Sequence, residues 1–191
     1  MPFTERSAPS RAAILTAARA LLAERGYAAT TIRAVAAEAG VDPAMVMRYY
    51  ANKDGLFAAA TDIDLALPPP EGVPADRLGR VLAGHMLRRW EGDLADELIT
   101  VLLRSAGNHD AAAEQLRTVF GQQVAEYVRQ VTHDALDWER RAGLIATQVL
   151  GVALCRYVLR LPPVVSMPAE ELAAAIGPTL QRYLFGDLDG A

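Results

Sequence analysis

Apolar positions recur along this chain at helical spacing. Over Ser10–Arg25, residues Ile14, Leu15, Ala18, Leu21 and Leu22 fall at i, i+1, i+4, i+7 and i+8, one stripe of an amphipathic helix. Gly26 supplies a left-handed residue to end that helix, and Tyr27 can pack back on its end. Thr30 or Thr31 then caps a short helix with Ile32, Val35, Ala36 and Ala39 inward, closed by Gly40. Asp42 as N-cap and Pro43 as first helical residue open another over Pro43–Tyr50. Asn52 begins a fourth, which carries Leu56, Phe57, Ala60 and Ile63.

Leu67–Pro74, LPPPEGVP, cannot continue a helix and reads as a linker, because its prolines lack the N–H and clash with the preceding turn. Further helices are predicted at about 75–90, 93–106, 108–132, 137–160 and 168–185, with breaks at Gly107-Asn108, His133-Asp134 and Leu161-Pro162-Pro163. Alanine, leucine and arginine dominate and alternating β-branched runs are absent. The pattern is therefore all-α, about nine helices in all. It divides into a three-helix head with a helix-turn-helix outline over 1–57 and a helical body over 58–191.

Composition bounds what those helices do. The chain is 52% hydrophobic with mean hydropathy +0.12, enough to bury a sizeable core. The longest apolar stretch, 142–161, is interrupted by Thr147, Gln148, Arg156 and Arg160, so no membrane span is expected. The start, MPFTERSAPSR, has no apolar segment ahead of a cleavage site, and the lone Cys155 cannot form an internal disulfide; both fit a cytoplasmic setting. Net charge is −4, which by itself argues against a nucleic-acid partner. The charge is unevenly spread. Residues 1–57 hold seven Arg/Lys against five Asp/Glu, net +2, and the remainder holds 12 against 18, net −6. A mildly basic head on an acidic body suits one polyanion-binding face and a separate task elsewhere.

The head has the outline of a DNA reader. TTIRAVAAEAGVDPAMVMRYY is two short helices joined by the turn Ala39-Gly40-Val41-Asp42. Val46 and Tyr50, four apart, are the inward candidates of the second helix, leaving Pro43, Ala44, Met47 and Arg48 outward. Small residues at its start admit that end to a major groove about 12 Å wide. Arg48 is the outward side chain able to pair bidentately with guanine. Tyr49 and Lys53 are placed as phosphate donors, and backbone N–H groups at Thr31 could meet another phosphate. The same spacing also fits a helical hairpin in an ordinary bundle with Arg48 merely solvated.

From Ile14 to Phe57, ILTAARALLAERGYAATTIRAVAAEAGVDPAMVMRYYANKDGLF resembles the DNA-binding domain of the TetR/AcrR family of regulators, carried by AARALLAERGY, TTIRAVAAEAGV and RYYANKDGLF in order. The resemblance implies that Thr31 caps the second helix and touches phosphate and that Arg33 lies near the backbone. It sets Pro43, Ala44 and Met45 facing the groove, Arg48 at a variable base-reading position, and Tyr49 and Lys53 at backbone and phosphate contacts. Met47 stands where the family usually has tyrosine, and Tyr50 where it usually has phenylalanine. Methionine cannot donate to a phosphate, so that contact is lost or passes to Tyr49.

The resemblance further implies that 58–191 is a ligand-binding and dimerisation domain, with a homodimer formed through helices at about 137–160 and 168–185 and bound to a palindromic operator in double-stranded DNA. It implies a repressor released by a small hydrophobic effector of unknown identity. Effector-pocket candidates are His85, Met86, Trp90, Leu103, Phe120, Tyr127, Trp138 and Cys155; each, taken singly, equally fits ordinary core packing. His85, His109 and His133 lack metal-ligand spacing, no catalytic motif stands out, and neither cofactor nor enzymatic activity is expected. Two other readings remain open: a helical small-molecule carrier or enzyme keeping only the helix-turn-helix outline, and a DNA-binding protein without an effector.

Overall fold

The computed structural model describes residues 8–92, 95–133 and 135–188, all helix, turn or coil. The helices are α1 (Ala8–Ala29), α2 (Ile32–Glu38), α3 (Pro43–Tyr50), α4 (Lys53–Ala60), α5 (Leu78–Gly92), α6 (Ala95–Ala106), α7 (Asp110–Val119), α8 (Ala125–Val131), α9 (Trp138–Ala153), α10 (Pro162–Val165) and α11 (Ala169–Phe185). A π turn, Phe120–Val124, joins α7 to α8 as one rod, and another, Leu154–Val158, prolongs α9. The helix start expected at Asp93, Asp134 of the expected break, and the first seven residues lie outside the described set.

The chain divides into two compact units. The first comprises the described residues through Ile63 together with Glu97–Leu116. Its α1 buries Ile14, Ala17, Ala18, Leu21 and Leu22, while Leu15 is only half-buried. Gly26 has φ 73°, as its position implied, but its ψ of 176° kinks α1 so that helical turns resume through Ala29. The Thr30 hydroxyl closes that kink, donating to the carbonyls of Leu21 (3.2 Å) and Gly26 (2.8 Å). Val35, Ala36, Val46, Leu56 and Phe57 complete the core between α1, α2, α3 and α4. Arg19 Nε donates to the Ala60 carbonyl at 2.9 Å, fixing the end of α4 to α1.

The second unit comprises the described residues of 64–96 and those from Arg117 onward. Residues 61–74 form no helix, in keeping with the prolines, and a 3₁₀ turn at Ala75–Arg77 leads into α5. There α5 packs along α11, and α9 packs on both α8 and α11. Where α5 crosses α11, a Cβ on Gly79 would stand 2.6 Å from the Gly177 carbonyl and 2.7 Å from Gln181 Cα, so only glycine permits the approach. Gln181 Oε1 accepts from Gly79 N at 2.8 Å across the same crossing. The break expected at Leu161–Pro163 is in part a helix: α10 starts on Pro162, because the fixed φ and missing N–H of proline suit a first turn. Arg156, in the second π turn, donates to the carbonyls of Val164 and Met167 and to Glu91 Oε1.

Candidate nucleic-acid interface

The turn between α2 and α3 is built by local side chains. Thr31, extended at φ −122°, accepts from Ala34 N at 3.1 Å and so caps α2; of the two threonines named above, it is the cap. Gly40 takes φ 65°, and Val41 N returns to the Ala36 carbonyl at 2.9 Å. Asp42 Oδ1 accepts from Ala44 N at 2.7 Å, with Pro43 in the first turn, and α3 begins there. The helix then turns Val46 and Tyr50 into the core and leaves Pro43, Ala44, Met47 and Arg48 exposed. Met45 and Tyr49 are half-buried. Among the described residues the Tyr50 hydroxyl is buried without a hydrogen-bond partner.

The predicted contacts fall into two groups. Arg48 lies over its neighbour, its guanidinium carbon 5.2 Å from the Tyr49 ring centroid and Nη2 at 3.5 Å from the Tyr49 hydroxyl. At that distance the hydrogen bond is marginal, so the arginine is steered yet open to a stronger partner. Thr31 and Lys53 line one small cleft with Ile32, Tyr27 and Phe57. Lys53 Nζ donates to the Ala28 carbonyl at 3.2 Å and stands 4.3 Å from the centre of the Tyr27 ring. Partial burial lowers the Lys53 pKa, and Asp54 opposes that shift. Arg33 is exposed on α2.

Tyr27 is more than the helix-end packing residue expected of it. Its hydroxyl donates to Asp54 Oδ1, its ring meets Phe57 edge-on at 4.8 Å, and His109 packs tilted against it at 4.6 Å. Burial, then the Asp54 carboxylate, pushes its pKa up to about 12, so it remains a donor at neutral pH. An aromatic beside Gly26 was legible from the pattern. Its meeting with Lys53 and His109 was not, since they lie 26 and 82 positions further on.

The eight effector-pocket candidates are divided. Leu103 belongs to the first unit and the other seven to the second. Met86, Trp90, Phe120 and Tyr127 are buried; His85, Trp138 and Cys155 are half-buried, and Cys155 is a free thiol. His85 Nε2 lies 3.0 Å from the Leu65 carbonyl, and Gln123 Oε1 accepts from Leu65 N at 2.7 Å, so one residue of the non-helical stretch after α4 is held from both sides. Trp90 meets the Tyr157 ring edge-on at 5.8 Å. The Tyr127 hydroxyl is buried without a hydrogen-bond partner, and burial followed by Glu71 pushes its pKa up to about 12. Two open grooves of this unit share Arg80 and Val81 along α5 and α11, and none of the eight candidates lines either. Among the described residues no group of three His, Cys, Asp or Glu is placed to hold a metal ion, and no helix is long and apolar enough to cross a membrane.

Comparison with known proteins agrees with this geometry. The HTH-type transcriptional repressor Rv3405c of Mycobacterium tuberculosis is 43% identical over 77 residues, 39% of this chain; the chain spans 41% of that relative's length. The HTH-type transcriptional regulator Mb3439c of Mycobacterium bovis matches to the same extent. Among solved structures, a TetR-family regulator from Streptomyces coelicolor is 28% identical with TM-score 0.69, covering 96% of this chain and 99% of its own. GusR of Salmonella enterica shares the fold at 21% identity and TM-score 0.72, covering 96% of this chain and 99% of its own. Residues 14–60 match the family described as bacterial regulatory proteins, tetR family, and residues 76–184, more than half of the chain, match the tetracyclin repressor-like C-terminal domain. The chain therefore belongs to the TetR family.

Proposed function

We propose that this chain is a DNA-binding transcriptional regulator, a repressor that grips a palindromic operator as a homodimer and is released by a small hydrophobic effector in the cytoplasm. The observation that carries the DNA reading is the outer face of α3. Its capped start exposes Pro43 and Ala44, which leave room for a groove wall, while Arg48 stands exposed further along. Lys53 beside Thr31 supplies a cation and a hydroxyl for the phosphate backbone. Together with Arg33, Met45 and Tyr49 these make the proposed DNA contacts. The curated relatives named above, a repressor among them, favour the same reading.

Dimerisation draws support from the second unit. Leu154 is 37% exposed and Phe185 41% exposed, and Ala175 on α11 is also exposed. Large apolar side chains left open at α9 and α11 fit a partner subunit covering them. One α3 reads too few base pairs alone, whereas a two-fold pair reads half-sites about 34–36 Å apart or a multiple of that. An apolar effector suits the buried Met86, Trp90 and Phe120, and a fold neighbour is the SmeT–triclosan complex, 20% identical with TM-score 0.65 and covering 91% of this chain and 90% of its own.

A mobility shift on the intergenic DNA beside the gene tests this function. The purified chain should retard an inverted repeat in preference to scrambled DNA. Arg48→Ala should cost about 1–3 kcal/mol of discrimination, while Lys53→Ala should weaken all sequences alike and reduce the salt slope by about 1. Equal binding of every sequence by the unaltered protein would sink the proposal.

A further inference from the structure

We propose that Tyr27 is a positioning residue for DNA binding: its ring holds the Lys53 ammonium ready for a backbone phosphate, and His109, at the start of α7, buttresses that ring. The proposal rests on the reading of Lys53 as a phosphate contact.

A lysine side chain is a point charge on a flexible four-carbon stem, and fixing it at an interface costs rotamer freedom at the moment of binding. In this chain much of that ordering is already in place. The ammonium stands 4.3 Å from the Tyr27 ring centre and gives one of its three N–H donors to the Ala28 carbonyl. The other two can turn to phosphate oxygens without leaving the ring.

The ring itself is fixed from three directions. The Asp54 carboxylate takes its hydroxyl, Phe57 meets it edge-on, and His109 lies tilted against it at 4.6 Å. The His109 carbonyl accepts from Ala112 N and Ala113 N, so this histidine is anchored by the first turn of α7. Residues from α1, α4 and the α6–α7 junction, all in the first unit, thus converge on one cationic side chain.

The test is a thermodynamic cycle read by fluorescence anisotropy on a labelled duplex of mixed sequence over a potassium chloride series. No operator is needed, because non-specific affinity comes from phosphate contacts. Tyr27→Leu should weaken binding about two- to five-fold, the ordinary worth of an exposed cation–π contact. Tyr27→Phe keeps the ring and should stay within about two-fold of the unaltered chain on the same scale. His109→Ala should act in the same direction as Tyr27→Leu and more weakly. In a Lys53→Ala background both Tyr27→Leu and His109→Ala should be silent, in affinity and in salt slope.

A Tyr27→Leu effect of equal size with and without Lys53 overturns the proposal, since a merely structural role weakens both backgrounds. Tyr27→Phe binding as poorly as Tyr27→Leu also overturns it. Thermal melts of each variant separate loss of fold from loss of contact. If the unaltered chain shows no salt-dependent affinity for duplex, the DNA-binding function itself fails; if it binds and the cycle is additive, only the positioning role does.

Discussion

The two units are held together by different kinds of contact. In the first, helix starts are fixed by the residue just ahead of them: Thr31 caps α2, Asp42 caps α3 and Asn52 caps α4, each with its own side-chain oxygen. In the second, α9, α10 and α11 have no side-chain cap. Long side chains reach across the unit instead. Arg141 Nη1 donates to the carbonyls of Tyr183, Leu184 and Gly186 at 3.0–3.2 Å, so an arginine of α9 closes the C-terminus of α11. Its Nε bonds Asp137 at 2.8 Å and keeps that carboxyl below its ordinary pKa. Two tight glycines show the same difference. Gly55 packs on the carbonyl of Tyr50, five positions away, whereas Gly79 packs on Gln181, 102 positions away. Local chemistry sets the helix starts of the first unit, and distant chemistry the helix crossings of the second.

The sharpest way to break this contrast is Gly79→Ala. Its Cβ meets backbone atoms that cannot rotate aside, so about 3 kcal/mol or more of stability should be lost in urea unfolding. A loss no larger than that of a helix cap would show that the α5–α11 crossing is not what holds the second unit. Arg141→Met comes next. It keeps much of the stem but leaves three carbonyls at the end of α11, two within it and that of Gly186 just past it, without their donor, and about 2 kcal/mol should go, read as a lower urea midpoint with the slope unchanged. Smallest is Asp42→Ala, which removes one cap and should cost about 1 kcal/mol. Its signature should be confined to amide exchange at the start of α3. Exchange rising equally in α9 and α11 would argue against local control.

This contrast also explains what could be read from the residues alone. Caps, left-handed glycines and apolar stripes act within a few positions, so Pro43–Tyr50 and the Asp42 cap were legible to the residue. The exposure of Pro43, Ala44, Met47 and Arg48 was legible for the same reason, being set by which face of a short helix is apolar. The π turns inside the long rods left no mark on the apolar spacing, and α10 hid behind two prolines that look like a stop and serve as a start. The company of Lys53 was illegible because His109 reaches it from 56 positions away, through the ring of Tyr27. The Arg156 contacts to Val164 and Met167 depend on how α9 ends, which no local pattern encodes.

The crossing at Gly79 also sets an order in time. Ribosomes deliver roughly 5–20 residues per second, so α5 emerges about 5–20 s ahead of the segment it must embrace. Throughout that wait α5, which packs along α11 in the finished molecule, has no α11 to cover it. The contacts among α1, α2, α3 and α4 need no such delay, because all their residues have already been made. The nascent chain therefore carries four packed helices ahead of an unfinished second unit, and the greasy face of α5 is where chaperones or aggregation would first find it.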